Sequence, residues 1–235
     1  MSATSATQTA PTGNSMKMLR AMVGIGILCA LMIVLTFEGT MPAIEKNKAE
    51  ALQQAIFKVL PGVEKSRTFQ YIEGEGFVDV SGEKAEGEIV YAGYNESGEL
   101  AGLAIEGAGQ GYADIIRILY GYVPAKENVV GFYVLESKET PGLGDKIEKD
   151  ENFLANFEAL DVSLNDGQDG LVNEVVPVKS GTKQNAWEVD AITGATISSR
   201  AIASIINASM NQWAPRIHQN RESLMVEKME NSNNE

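Results

Sequence analysis

One histidine, His218, and one cysteine, Cys29, are all that 235 residues hold of the two side chains most often used for nucleophilic and metal chemistry. A single thiol forms no disulfide within the chain. A single imidazole builds neither a Cys/His zinc site nor a Cys-His or Ser-His pair in the central region. Cys29 also lies in an apolar run, where a thiol behaves as a small hydrophobe. Positive charge is scarce as well. The 19 Lys and Arg stand against 32 Asp and Glu, and the formal net charge of −13 repels phosphate-rich partners and excludes nucleic-acid binding as a reading. At this length one good-sized domain with extras fits, and two full domains hardly do.

One long apolar run is present: "AMVGIGILCALMIVLTF", residues 21–37, without a charge in it. Its length is at the short end of what spans a bilayer. Lys17 and Arg20 precede it, whereas Glu38, Glu45 and Glu50 follow, so the positive-inside rule keeps the N-terminus in the cytoplasm and exports the rest. A cleaved signal peptide shares the basic start and apolar core. The following "TFEGTMPAI" has no clean small-x-small cleavage site, and the core exceeds the usual signal length, so an uncleaved anchor is expected. Residues 1–20 then form a disordered cytoplasmic tail and 21–37 a transmembrane helix. Residues 38–62 form a juxtamembrane helix or linker, stopped by Pro61-Gly62.

From about Arg67 the pattern changes to short β-like runs, "TFQYI", "EIVYAGY", "ELAGLAIEG" and "NVVGFYVLE", separated by glycine-bearing turns. "ENFLANFEAL" reads as a short helix, and "LVNEVVPVK" and "AWEVDAI" as later strands. In "ISSRAIASIINASMNQW" the apolar residues Ile197, Ala201, Ile202, Ile205, Ile206 and Trp213 follow a 3.6-residue period, predicting a helix with one face on a core and a stop at Pro215. The fold class is therefore α+β: one N-terminal transmembrane helix followed by a single extracytoplasmic domain over 63–217, with a loose polar tail over 218–235.

Two motifs carry the functional question. In "ESKETPGLGDKIEKD", Thr140-Pro141-Gly142-Leu143-Gly144 is a turn that presents bare backbone amides and one apolar side chain, a surface able to lie against a planar ring or an anion. The same residues also suit an ordinary turn, and they are not a P-loop, because Gly144 is followed by Asp145-Lys146-Ile147. In "DAITGATISSR", Thr196 is placed at the mouth of a helix. It can be a plain N-cap, although Ser199 stands where a capping box needs Glu or Gln. Alternatively its hydroxyl is esterified to a phosphate, which suits the positive end of the helix dipole. No nearby base activates that hydroxyl, so another enzyme must make such a bond.

Behind one membrane anchor, "VLESKETPGLGDKIE" and "TGATISSRAI", with "GQGYADIIRILYGY" in its matching place, resemble the FMN-binding subunits of membrane electron-transfer complexes. The resemblance runs from the anchor to Trp213 and is greatest to the G subunit of the Rnf complex, an ion-moving ferredoxin:NAD oxidoreductase. It implies an electron carrier without catalytic side chains of its own and without a metal site. FMN would be attached covalently by a separate flavin transferase, and the partners would be the other membrane subunits. By the family's D-x-x-[ST]-G-A-[ST] pattern, Thr196 is the phosphoester acceptor, and Asp190, Thr193, Gly194 and Ala195 form the recognition stretch. The residues 140–144 loop would border the isoalloxazine ring. Thr193 stands where many relatives have serine. Ser137 stands where histidine is common, so that histidine's role is missing here. Two rival readings remain: the C subunit of a Na⁺-translocating NADH:quinone reductase, and a membrane-tethered binding module with no redox role.

Overall fold

The computed structural model describes residues 15–82 and 87–225. The expected N-terminal tail lies outside them up to residue 14, and so does the end of the expected C-terminal tail from residue 226. The chain divides into two units, residues 1–50 and 51–235. Helix α1 runs unbroken over Ser15–Val59, with Pro42 inside it, so the expected anchor and juxtamembrane helix are one element. Among the described residues it is the one helix long and apolar enough to cross a membrane. The apolar side chains of its first unit, Leu28, Ile33 and Leu35 among them, are exposed, as side chains meant for lipid would be.

In the second unit seven antiparallel strands form one sheet. They are β1 (Lys65–Ile72), β2 (Gly76–Asp79), β3 (Ile89–Tyr94), β4 (Leu100–Gln110), β5 (Ile115–Val123), β6 (Asn128–Glu136) and β7 (Leu160–Asp161), in the order β2-β1-β3-β4-β5-β6-β7. The α+β expectation holds. The sheet is covered on both faces, which is why β5, "IIRILYGYV", has no polar alternation to mark it in the sequence. After β6 come the short helix α2 (Glu151–Leu154), then β8 (Val176–Val178) and β9 (Glu188–Asp190), which pair in parallel, and last α3 (Thr196–Gln219).

Alternation along the strands decides what each face holds. Leu103, Ile105, Ile118, Tyr120 and Tyr122 point to α3, whose Ile202, Ile206, Met210 and Trp213 complete the main core. Ala104, Leu119 and Tyr133 point the other way, onto Ala55, Ile56, Val59 and Leu60 at the end of α1. That helix end lies unusually close to the sheet. A Cβ built on Gly121 or Gly131 would collide with the Val59 carbonyl, and one on Gly102 would come within 2.7 Å of Leu60. Gly93 pairs with Gly102, and Gly121 with Gly131, so four neighbouring strands supply a glycine trough for the turn at Val59 and Leu60. Residues 51–62 are thus part of the domain core, not only a linker.

The C-terminal boundary also differs from expectation. Helix α3 continues through Pro215 to Gln219, because Trp213, Ala214, Pro215 and Ile217 are all buried. Their burial offsets the one backbone hydrogen bond that proline forfeits. Beyond it a short 3-10 turn, Arg221–Leu224, folds back: Leu224 is fully buried and its carbonyl accepts from the Tyr94 hydroxyl at 2.8 Å. This part of the expected loose tail is anchored in the core.

Candidate functional site

The two motifs meet. A cleft of about 300 Å³ is lined by Thr140, Leu143 and Gly144 from the loop after β6, and by Gly194, Ala195, Thr196, Ile197 and Ser198 at the start of α3. Tyr112 and Glu139 complete it. Three large apolar side chains at this cleft, Tyr112, Leu143 and Ile197, are each more than half exposed. Apolar groups held in water beside a concave surface are suited to a flat aromatic ligand.

Local hydrogen bonding explains the shape of each wall. In the loop, the amides of Leu143 and Asp145 both donate to the Thr140 carbonyl, at 3.1 and 3.4 Å, and close a tight turn. Gly142 occupies the left-handed region at φ 78°, which only glycine enters without strain. The Asp145 carboxylate accepts from the Gly142 amide at 2.6 Å and from Lys149 Nζ at 2.8 Å. The Lys149 ammonium holds the Asp145 carboxyl below its ordinary range, helped by the Gly142 amide. Gly144 has a different reason for being glycine: a Cβ there would strike the Glu139 carboxylate and come within 3.0 Å of Ser198 Oγ.

At the opposite wall the hydroxyls of the second motif have unequal duties. Ser199 Oγ donates to the Ala195 carbonyl at 2.9 Å and accepts from the Ile192 amide at 3.1 Å, which makes it the staple of the helix start. Ser198 Oγ donates to Glu139 Oε2 at 2.6 Å. Both serines are buried. Thr196 is exposed, and its Oγ1 has only a 3.5 Å contact to the Ile192 carbonyl, at the limit of a hydrogen bond. The N-cap reading of Thr196 fails on position. Ala195 is the N-cap and offers no side-chain acceptor, and Thr196 is the first helical residue. The first-turn amides therefore open beside the Thr196 hydroxyl, where an anion is favoured.

The remaining motif residues lie elsewhere. Asp190 and Thr193 border a neighbouring hollow of about 410 Å³ together with Lys146, Lys149 and Ser180. The Asp190 carboxylate accepts from the amides of Gly181 and Thr182, at 2.8 and 3.2 Å, and pins the turn before β9. Asn156 braces the same strand, accepting from the Asp190 amide at 2.9 Å and from Lys183 Nζ at 3.2 Å. Burial lowers the Lys183 pKa, against the raising effect of Asp190 and Glu188. Pro141 and Gly142 are exposed and shape the loop without lining the cleft.

Glu139 was not singled out in the sequence. It is 6% exposed, and its carboxylate also accepts from the Ala113 amide at 2.9 Å, tying the turn after β4 to the 140–144 loop and to α3. Its place directly before Thr140 in "KETPGLG" is the available signal, and nothing in the local pattern marks that carboxylate as buried. Among the described residues no three His, Cys, Asp or Glu side chains converge as a metal site.

Comparison with known proteins agrees with this geometry. The FMN-binding domain family matches residues 111–211, a span holding both motifs. The G subunit of the ion-translocating oxidoreductase complex of Methanosarcina acetivorans is 28% identical, over 83% of this chain and 92% of its own. The G subunit of the Na(+)-translocating ferredoxin:NAD(+) oxidoreductase complex of Acetobacterium woodii is 30% identical, over 80% of this chain and 86% of its own. The crystal structure of the C subunit of Na(+)-translocating NADH-quinone reductase from Parabacteroides distasonis aligns with a TM-score of 0.58 at 18% identity, covering 75% of this chain and 96% of that one, which shows a shared fold. A chain with these relatives, an FMN-binding domain and an apolar N-terminal helix belongs to the family of G subunits of Rnf-type ion-translocating oxidoreductase complexes.

Proposed function

We propose that this protein is a membrane-anchored electron-transfer flavoprotein of an Rnf-type ion-translocating complex, with FMN joined through its phosphate to Thr196. The observation that carries the reading is the convergence of both motifs on one cleft, at whose edge Thr196, alone of the three hydroxyls that open α3, is exposed and holds no more than the 3.5 Å contact to the Ile192 carbonyl. The residues fit the group in both its parts. An uncapped helix start favours the phosphate, and the exposed Tyr112, Leu143 and Ile197 offer apolar contact to the ring. When bound, FMN supplies the redox chemistry of the site. The protein's part is to hold the group, limit water around it and set the local field. A transferase drawing on FAD would make the bond, because no base is hydrogen-bonded to the Thr196 hydroxyl.

Thr196→Val tests this reading. Valine keeps the shape and removes the hydroxyl, so in-gel flavin fluorescence and the added mass of one FMN should disappear while the domain stays folded. Fluorescence kept in that variant and lost in Thr193→Val would move the acceptor to Thr193. A wild-type chain free of flavin would favour the non-redox binding module. The quinone-reductase reading rests on fold alone at 18% identity, whereas the curated relatives named above are G subunits.

Orientation follows from charge. Lys17 and Arg20 precede the apolar stretch and Glu38, Glu45 and Glu50 follow it, which favours a cytoplasmic N-terminus and an extracytoplasmic domain. A covalent link then has a purpose, since FMN lost outside the cytoplasm is not replaced there. A periplasmic-type reporter fused after the last residue should be active, and activity of a cytoplasmic reporter at the same point would reverse the assignment.

A further inference from the structure

We propose that Glu139 fixes the charge of the cleft, and through it the reduction potential and proton uptake of the flavin bound there. The inference rests on the function proposed above. Among the described residues Glu139 is the only carboxylate in the cleft lining, and Tyr112 is the only other ionisable side chain in it. Its carboxylate is buried and accepts from two neutral donors, the Ala113 amide and the Ser198 hydroxyl. No cation among the described residues pairs with it. Of the lysines nearest in the chain, Lys138 pairs with Asp114 at 2.7 Å and Lys149 with Asp145 at 2.8 Å, while Lys146 lines the neighbouring hollow and not this cleft. The first turn of α3 brings no acidic residue. Its dipole offsets part of the carboxylate charge, and nothing else in the lining offsets the remainder.

A fixed negative charge has a definite consequence for an acceptor beside it. Two electrons taken up with one proton leave the flavin ring with one negative charge more than it began with. Two electrons with two protons leave it unchanged. Glu139 disfavours the first outcome and favours the second, the more strongly because the cleft walls are partly apolar. It therefore lowers the potential and raises the pH at which the second proton is lost from the reduced ring.

The experiment is a potentiometric titration of the full-length flavinylated protein in detergent, repeated across pH, for wild type, Glu139→Gln and Glu139→Asp. Glu139→Gln should move the midpoint to a more positive value. The break in the plot of midpoint against pH should move to lower pH. Glu139→Asp keeps the charge and should stay near wild type in both. No shift in the Gln variant, or equal shifts in the Gln and Asp variants, would overturn the assignment and leave Glu139 a structural tie. Should Glu139→Gln fail to fold, wild type still decides: its break must lie above that of free FMN in the same buffer, and a break at or below that value sinks the proposal. In-gel fluorescence of wild type is read first. Its absence overturns the proposed function, whereas a fluorescent protein with the wrong titration overturns only the role of Glu139.

Discussion

Gly144→Ala is the smallest change that tests the construction of the cleft. The added methyl would strike Glu139 Oε2, lie 2.9 Å from Glu139 Cβ and lie 3.0 Å from Ser198 Oγ. A flexible chain end could swing aside at little cost, but this one is held. Oε2 is bonded to Ser198 at 2.6 Å and Oε1 to the Ala113 amide at 2.9 Å. Two routes of accommodation compete. Pushing the loop away as an overpacked unit costs about 1–3 kcal/mol. Freeing the carboxylate forfeits hydrogen bonds to a charged group, at about 1.5–3 kcal/mol each. The first is cheaper, so about 2 kcal/mol is expected, a fall in Tm of roughly 4–8 °C for a domain of this size. The assay is thermal unfolding of full-length protein in detergent, followed by far-UV circular dichroism, with Glu139→Ala and the double variant alongside. Removing the carboxylate relieves the closest of these contacts and leaves Cβ and the Ser198 hydroxyl, so the cost of Gly144→Ala should shrink without vanishing in the Glu139→Ala background. A Tm within one or two degrees of wild type, or an undiminished cost in the double variant, would refute the reasoning.

That glycine also shows where sequence reasoning stops. A Gly-Leu-Gly turn suggests positive φ, and one glycine has it: Gly142, at 78°. Gly144 is required instead by what faces it across the fold, Glu139 and Ser198, and sequence spacing does not display such a neighbour. The same limit applies at the second motif. The helix over 197–213 was legible because apolar residues recur at helical spacing, yet its real cap, Ala195, and its continuation through Pro215 depend on tertiary burial. Four strands were legible because their β-branched and aromatic runs are broken by turns. The run of β5, covered on both faces like that of β4, was not. The trough at Gly93, Gly102, Gly121 and Gly131 is scattered over four strands and becomes a feature only when the register aligns it. Convergence of the motifs on a cleft was expected from resemblance alone. Their separation of about fifty residues carries no local signal of contact, and α3 brings its first turn across to the loop only because its apolar face is committed to the sheet.

The trough itself can be tested by Gly121→Ala, whose methyl would collide with the Val59 carbonyl: a loss of about 1–3 kcal/mol is expected from a denaturant midpoint at unchanged slope. Gly170→Ala, where the added methyl would have only an ordinary 3.5 Å contact, is the control, and equal stability of the two variants would dismiss the trough. The last prediction concerns pH and the loop that carries Leu143. Asp145 holds the Gly142 amide most strongly while ionised, and Lys149 keeps its carboxyl pKa below the ordinary value. A depressed folded-state pKa means that the contribution is fully present above the unfolded value, about 3.9, and is lost as pH falls through the lower folded value. The loop should therefore be intact at neutral pH and loosen only in acid below about pH 4. Because the partner Lys149 is exposed and the pair lies at the surface, the effect is local and should not unfold the domain. Hydrogen exchange at the Gly142 amide, corrected for intrinsic rate, reads it directly. In wild type the protection factor should fall through that acid window. In Asp145→Asn, which can still accept weakly but cannot pair with Lys149, protection should be lower at pH 7 and nearly independent of pH. Full protection of this amide at pH 7 in Asp145→Asn would show that the Thr140 turn holds the loop by itself, and that the carboxylate has no part in presenting Leu143 to the cleft.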